Sequence, residues 1–158
     1  MVKTNAMRLL DQAGIAYETK EYEYDEDHLG GELVAAKVGM DPEQVFKTLV
    51  ARGEKSGILV FCLPCSQELD LKKAAALAKD KKVEMTHVKE LLGLTGYIRG
   101  GCSPVGMKKK YPIYIEETAV LYDKISVSAG MRGCQMILNP EDLIAFTGAV
   151  EADVIKDR

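Results

Sequence analysis

The segment that most constrains the fold is "VFKTLVARGEKSGILVFCLP", residues 45–64. Two runs rich in β-branched and aromatic residues flank the polar turn GEKSG, and this pattern predicts a β-hairpin. Both faces of each run are apolar, which is typical of strands in the centre of a sheet. Lys47 is the exception, because burying an ammonium group is costly unless it has a partner. The residues alone leave two interpretations of Lys47 open, an edge lysine that reaches water or a functional group.

Helical patterns and further strands surround this hairpin. The predicted helix N-caps are Thr4, Asp41, Asp70 and Asn139. Another helix is predicted from Thr86 to Gly93, and strands are predicted in IAYETKEYEY, YPIYIEE, ISVSAG and CQMIL. Hairpins outnumber βαβ units in this order. We therefore expect an α/β fold, a single compact domain over residues 1–158 with a mixed, largely antiparallel sheet flanked by helices.

Composition excludes several classes of protein. No apolar run approaches the roughly 20 residues that span a bilayer, and "MVKTNAMRLLDQ" turns polar too soon for a signal peptide. We therefore expect a cytoplasmic protein without a membrane partner. The net charge of −3 argues against a basic nucleic-acid coat, although a local RNA contact or delivery of RNA by a partner stays open. The four cysteines are expected to be free thiols.

The loop "RGGCSPVGMKKKYP", residues 99–112, resembles a phosphate-binding loop only superficially. Gly101 and Gly106 have the right separation, but Met107 precedes Lys108 and no hydroxyl follows to hold magnesium. Pro104 removes one N–H from any phosphate cradle. A strand-like segment follows the loop where a long helix would be needed. A nucleotide site is therefore disfavoured, and the lysines at 108–110 remain candidates for contacts with a phosphate backbone.

The cysteine and histidine patterns give weaker signals. "FCLPCS" contains a C-x-x-C, but Cys62 lies late in an apolar strand rather than at a helix N-terminus, where redox cysteines have a lowered pKa. A zinc site would need two more ligands, and His28 and His87 are isolated in the sequence. Neither histidine lies near a recognisable nucleophile motif. Redox chemistry at Cys62 and Cys65 stays open as a minor alternative, testable through a reversible disulfide.

Three separated segments carry a more specific signal: DPEQVFKTLV, GYIRGGCSPVGMKKKYP and ISVSAGMRG. Together they resemble the YbaK/EbsC family, and the likeness runs from the N-terminal helix to NPEDLIAFTGA. The resemblance implies a fold similar to the editing domain of bacterial prolyl-tRNA synthetases. It also implies ester cleavage of mischarged Cys-tRNA(Pro) in trans. Such editing is needed because a pocket separates near-isosteres such as cysteine and proline by only about 1–3 kcal/mol.

The resemblance further implies the site residues. Lys47 and Gly101 are expected to be catalytic. The expected substrate contacts are Tyr22, Phe46, Thr48, Gly100, Cys102, Ser103, Pro104 and Ser128. Tyr24 is an alternative to Tyr22. After "MRG" a polar or acidic site residue is expected, but the chain has Cys134 and Gln135, so no acid is assigned there. No metal site and no metal or organic cofactor is implied.

The family mechanism needs no catalytic triad, because the substrate thiol attacks its own ester carbonyl at close range. Lys47 is expected to act as an ammonium, since nothing in the sequence clearly lowers its pKa. Backbone N–H groups of residues 100–104 are expected to bind the oxyanion or the 2′-hydroxyl. The implied partners are the mischarged tRNA(Pro) and prolyl-tRNA synthetase. Two alternatives stay open: deacylation of Ala- or Ser-tRNA, and a non-catalytic module that binds tRNA or synthetase.

Overall fold

The predicted hairpin forms the centre of a five-stranded sheet in the computed structural model, which describes residues 2–157. The helices are α1 (Asn5–Gln12), α2 (Gly31–Val38), α3 (Leu71–Leu77), α4 (Leu91–Thr95) and α5 (Pro140–Thr147). The strands are β1 (Glu18–Glu21), β2 (Phe46–Gly53), β3 (Gly57–Pro64), β4 (Val83–Met85), β5 (Ile113–Glu116), β6 (Ile125–Ser128), β7 (Cys134–Leu138) and β8 (Val150–Ala152). Three 3-10 turns complete the elements, at Pro42–Gln44, Val88–Glu90 and Glu117–Leu121.

The strands form two sheets. The larger sheet has the order β4-β2-β3-β5-β8, with β2 antiparallel to β3 and β4, and with β3, β5 and β8 parallel. The smaller sheet has the order β1-β7-β6 and is antiparallel throughout. A single parallel bridge between Val45 and Ser126 joins the sheets just before β2. The expectation of an α/β fold with mixed strand pairing is confirmed, but the strands divide between two sheets rather than sharing one.

Most helix starts follow the predicted capping chemistry. Asp70 accepts hydrogen bonds from the N–H groups of Lys72 and Lys73, and Thr4 and Asn139 cap α1 and α5 in the same way. The helix predicted from Thr86 to Gly93 is wrong at both ends, because a 3-10 turn comes first and α4 continues to Thr95. Among residues 2–157, no helix has both the length and the apolar character needed to cross a membrane.

The apolar core lies on both faces of the larger sheet. One cluster fills the space between this sheet, the smaller sheet, α1 and α5, with Met7, Cys62 and Met136 among its buried members. A second cluster packs α3 on the opposite face, where Phe61 stacks on Tyr114 with ring centroids 5.3 Å apart. A third, smaller cluster holds α2 against the start of β2. Because β2 and β3 are packed on both faces, their side chains have few alternative positions.

Candidate functional site

The candidate site is a pocket of about 340 Å³ at an open stretch of the edge of β2. β4 pairs with β2 only from Ala51 to Gly53, so the first half of β2 has no strand of the larger sheet on that side. The walls come from β2, the 85–91 segment, the loop after α4, the start of α2, and the facing ends of β6 and β7. This volume lies at the small end of the range for pockets that bind small molecules.

The open edge also directs backbone polar groups toward the pocket. The Val50 carbonyl accepts hydrogen bonds on this side, from the Thr86 N–H at 3.2 Å and from the Thr86 hydroxyl at 2.9 Å. Backbone groups alternate in direction along a strand, so Thr48 points its N–H and C=O the same way as Val50. No strand among residues 2–157 pairs with Thr48 on that side. Its backbone N–H is therefore available to a ligand.

Lys47 is the only lysine among the pocket-lining residues that the structure describes. Its Nζ donates to the Gln67 carbonyl at 2.6 Å and, more weakly, to the Cys65 carbonyl at 3.5 Å. Burial lowers the pKa of Lys47, while the Cys65 thiol and the carboxylates of Glu68 and Glu32 act in the opposite direction. The expectation that nothing lowers this pKa is therefore wrong. The two carbonyls hold the ammonium group in place, and one of its three protons remains for a ligand.

Two neutral polar side chains line another part of the pocket. Ser128 and Gln135 are direct partners across β6 and β7, so their side chains share one face. The Gln135 Oε1 accepts a hydrogen bond from the Ser126 hydroxyl at 2.8 Å, which leaves the amide nitrogen as a donor. The Ser128 Oγ accepts from the Gly130 N–H at 3.1 Å, so its hydroxyl proton is also free to be donated. The pocket thus offers two uncharged hydrogen-bond donors to a ligand, the Ser128 hydroxyl and the Gln135 amide nitrogen.

Only some of the loop residues that were expected to contact the substrate line the pocket. Gly100 and Cys102 line the pocket, together with the predicted residues of β2, Phe46 and Thr48. The other predicted loop positions lie outside the lining: Gly101, Ser103 and Pro104. Ser103 is fully buried, and its hydroxyl oxygen accepts the Val105 N–H at 3.2 Å, so it stabilises the loop from within.

Gly101 shapes the loop through close contact rather than through a free N–H. Its N–H donates to the Ile98 carbonyl at 2.9 Å, so this group is already engaged and is not an oxyanion donor in this conformation. A Cβ at this position would lie 3.2 Å from the backbone of Met131 and Arg132. The loop therefore packs directly on the segment between β6 and β7, and only glycine fits without displacing one of them.

Tyr22 lies beside the pocket rather than in its lining. It borders a smaller cavity, which is separated from the main pocket by residues that line both, Leu29 and Gly100 among them. Its backbone N–H donates to the Gly133 carbonyl at 2.9 Å, and it packs against the α2 cluster. Tyr24 borders the same smaller cavity. Neither tyrosine therefore lines the pocket that contains Lys47.

The four cysteines are free thiols with raised pKa values. Burial raises the pKa of Cys62 to about 12 and those of Cys65 and Cys102 to about 11, and it also raises the pKa of Cys134. Reactive cysteines need the opposite shift, because the thiolate is the nucleophile. Among residues 2–157, no group of three His, Cys, Asp or Glu side chains is placed to hold a metal ion. The raised thiol pKa values therefore argue against a cysteine of this pocket as the nucleophile.

We expect the two pocket thiols, Cys65 and Cys102, to alkylate slowly at neutral pH. Because both pKa values lie near 11, the thiolate fraction should grow about tenfold per pH unit from pH 7 to 10. The iodoacetamide rate at each cysteine, measured by peptide mass spectrometry, should follow that slope. The unfolded protein is the control and should level off near the ordinary thiol pKa of about 8.5. A plateau near pH 9 in the folded protein would contradict the burial argument.

Several lining residues were not anticipated from the sequence. Arg99 and Leu29 belong to this group, as does the wall formed by residues 85–91. Gln135 was named at a position where a polar or acidic residue was expected, but it was not assigned to the site. Gln135 carried a usable signal, because the β6–β7 register would have paired it with Ser128. The 85–91 wall carried none, since it depends on where β4 stops pairing with β2.

Comparison with known proteins shows which family has this architecture. Residues 30–146 match the family described as the aminoacyl-tRNA editing domain. EbsC of Enterococcus faecalis, named as a candidate Cys-tRNA(Pro)/Cys-tRNA(Cys) deacylase, is 49% identical over 96% of this chain and 93% of its own. A proline--tRNA ligase of Kosmotoga olearia is 35% identical over 54% of this chain, which corresponds to 14% of the ligase.

Solved structures agree with the sequence matches. A crystal structure described as a candidate trans-editing enzyme for prolyl-tRNA synthetase is 28% identical, with a TM-score of 0.83 over 98% of this chain and 99% of that one. The hypothetical protein APE2540, at 22% identity, has the same fold with a TM-score of 0.86. The matched family segment contains β2, the glycine-rich loop, Ser128 and Gln135, which together form most of the pocket. This chain belongs to the aminoacyl-tRNA editing domain family.

Proposed function

We propose that this protein is a trans-acting editing deacylase that cleaves the ester bond of mischarged Cys-tRNA(Pro). The observation that carries the proposal is Lys47, a half-buried cation held by two backbone carbonyls inside a pocket lined mainly by apolar and neutral polar groups, with Arg99 as the other cation of the described lining. The name of the E. faecalis relative supports cysteine as the amino acid removed. The pocket is larger than a cysteinyl group needs, so part of the ribose is accommodated as well.

The chemistry follows from what the pocket supplies and what the substrate brings. The substrate sulfur, as thiolate, forms a bond to the ester carbonyl carbon, the ester C–O bond breaks, and the ribose oxygen takes up a proton. Water then opens the cyclic thioester to free cysteine. The Lys47 ammonium stabilises the thiolate and the developing oxyanion, and the Thr48 backbone N–H and the Gln135 amide are donors for the same oxygen. The chain's own thiols stay protonated at neutral pH and take no part.

Prolyl-tRNA synthetase is the partner we propose for delivery of the tRNA. The net charge of −3 gives the protein no general attraction for RNA, so capture of free tRNA is disfavoured. The sequence likeness to part of a proline--tRNA ligase supports a shared substrate. Addition of prolyl-tRNA synthetase should therefore lower the KM for Cys-tRNA(Pro) more than it changes kcat.

A deacylation panel tests the proposed function. Purified protein should release cysteine from Cys-tRNA(Pro) and should act more slowly on Ala-tRNA(Pro) and Ser-tRNA(Pro). Cys-tRNA(Cys) belongs in the panel, because the relative's name includes it. Preference for alanine or serine would assign a different specificity to the same pocket. Binding of the tRNA without loss of any ester would show a non-catalytic module instead.

Replacement of Gly101 by Ala should lower deacylation about tenfold, because the new Cβ would press on the Met131–Arg132 backbone and shift Gly100 and Cys102 in the pocket wall. Gly93→Ala is the matched control. Gly93 lies in α4 with no atom within 4 Å of the added Cβ, so this change should leave activity unchanged and stabilise the protein by about 0.5–1 kcal/mol. Equal activities of the two variants would remove the loop contact from the catalytic argument.

A further inference from the structure

Among residues 2–157, Arg99 is the one arginine that lines the pocket, and it is exposed at the mouth. The other arginines near the site are engaged: Arg52 pairs with Glu90 at 2.9 Å, and Arg132 lies 3.7 Å from Glu26. No acidic side chain among residues 2–157 forms an ion pair with Arg99. Within that described part of the chain its guanidinium is a cation without an ion-pair partner, at the entrance of a pocket that already holds Lys47.

The backbone around Arg99 is fixed. The Arg99 carbonyl accepts a hydrogen bond from the Arg132 Nε at 2.8 Å, and the Gly101 N–H closes a turn onto the Ile98 carbonyl at 2.9 Å. Gly100 adopts a φ of 86°, a conformation that favours glycine. The side chain of Arg99 consequently starts from a defined point beside the pocket opening, which reduces the entropy lost when it binds a ligand.

We propose that Arg99 binds the phosphate on the 5′ side of the substrate's terminal nucleotide. The inference rests on the proposed function, because it needs an aminoacyl ester in the pocket. With the ester carbonyl at Lys47, the ribose occupies the outer part of the pocket. The 5′-phosphate of that same ribose then lies on its far side, at the mouth. A guanidinium at the mouth matches a phosphate there, since its planar N–H fork binds two phosphate oxygens at once.

The distribution of charge around the mouth favours one path for the RNA strand that leaves the pocket. The segment on one side of the mouth is acidic, with Glu23, Asp25, Glu26 and Asp27 close in sequence to Tyr22 and Tyr24. Beyond the other side, Lys108 packs beside Gly96 at the end of α4, and its N–H donates to the Thr95 carbonyl. RNA that leaves the pocket over Arg99 is therefore repelled from the 23–27 segment and attracted toward the exposed Lys108 beside the end of α4. Lys108–Lys110 do not line the pocket itself.

A pair of small substrates isolates the phosphate contact. Arg99→Gln should lower kcat/KM about 10- to 100-fold for 3′-O-cysteinyl-adenosine 5′-monophosphate, the range for losing a charged hydrogen-bonded contact. It should change kcat/KM for 3′-O-cysteinyl-adenosine, which lacks the phosphate, by less than about threefold. Arg99→Lys should recover part of the loss, because it keeps the charge without the fork. With Cys-tRNA(Pro), the slope of log(kcat/KM) against log[salt] should decrease by about 0.7 in Arg99→Gln.

Arg8→Gln is the matched control, because Arg8 is exposed on α1 and is not part of the pocket. It removes the same charge and should leave both small-substrate rates unchanged. Equal losses on the two esters in Arg99→Gln would assign Arg99 a structural role and overturn the inference. An unchanged rate on the monophosphate would overturn it as well. If the unmodified protein cleaves none of the cysteinyl esters, the proposed function itself fails, which is a separate outcome.

Discussion

Replacing Lys47 with Met should reduce deacylation of Cys-tRNA(Pro) by about 10²- to 10³-fold, the range for losing one charge-stabilising group in an active site. Methionine keeps much of the length of the side chain and removes the ammonium, so the effect reports on charge. The measurement is single-turnover release of labelled cysteine, which separates chemistry from tRNA binding. The fold should persist, because losing the hydrogen bond to the Gln67 carbonyl is offset by relief of a half-buried charge.

Lys55→Met is the matched control for this substitution. Lys55 is an exposed residue in the turn of the same hairpin, at the opposite end of β2 from Lys47. Its activity should equal that of the unmodified protein. The thermal midpoint of Lys47→Met should stay within about 4 °C of that of the unmodified protein. Retained activity in a folded Lys47→Met protein would exclude Lys47 from the chemistry, and a large fall in the midpoint would show that its main role is structural.

Removing the thiol from the substrate should have an effect of similar size. Ser-tRNA(Pro) should be cleaved at least about a hundredfold more slowly than Cys-tRNA(Pro), because a hydroxyl is a much poorer nucleophile at neutral pH than a thiol held next to the carbonyl. The pocket lining includes two neutral donors, Ser128 and Gln135, and the protein's own thiols have raised pKa values. The rate with Cys-tRNA(Pro) should rise with pH as the substrate thiol ionises.

The control substrate is tRNA(Pro) charged with 2-aminobutyrate, which has a methyl group where cysteine has its sulfur. It should bind with an affinity similar to that of Cys-tRNA(Pro) and lose its ester as slowly as the serine ester does. This comparison separates recognition of shape from participation of the thiol. Rapid cleavage of the serine ester or of the 2-aminobutyrate ester would contradict assistance by the substrate thiol. It would require a water molecule activated by the protein.

The parts of the fold that follow from local chemistry were predictable. Asp70, Thr4 and Asn139 cap helices because their side chains accept N–H groups of the first turn, and this pattern is visible in the sequence. The β2–β3 hairpin follows in the same way from two apolar runs and a polar turn. The division into two sheets was not predictable, because it depends on long-range pairing of β1 with β7.

The candidate site, like the fold, could be predicted from the sequence only in part. Lys47 stood out because a charged residue interrupts an apolar strand, and the structure gives it two carbonyl partners and a lowered pKa. Of the glycine-rich loop expected to contribute to the site, Gly100 and Cys102 line the pocket, and its role there stays a prediction. Arg99 was missed and Gln135 was left unassigned, because exposed arginines and strand glutamines are common and gain significance only from their neighbours in space.

The open edge of β2 has a consequence for stability. A ligand there contacts both sheets, the 85–91 segment and the loop after α4, all of which must be folded at once for the pocket to exist. Occupancy is then linked to the cooperative unfolding of the whole chain rather than to fraying of one loop. A non-cleavable cysteinyl analogue at a hundred times its Kd would raise the free energy of unfolding by about 2.7 kcal/mol. Hydrogen exchange in helix α3, on the opposite face of the larger sheet, would slow along with exchange at the pocket. A ligand in the editing site would therefore stabilise the packing of the two sheets against each other.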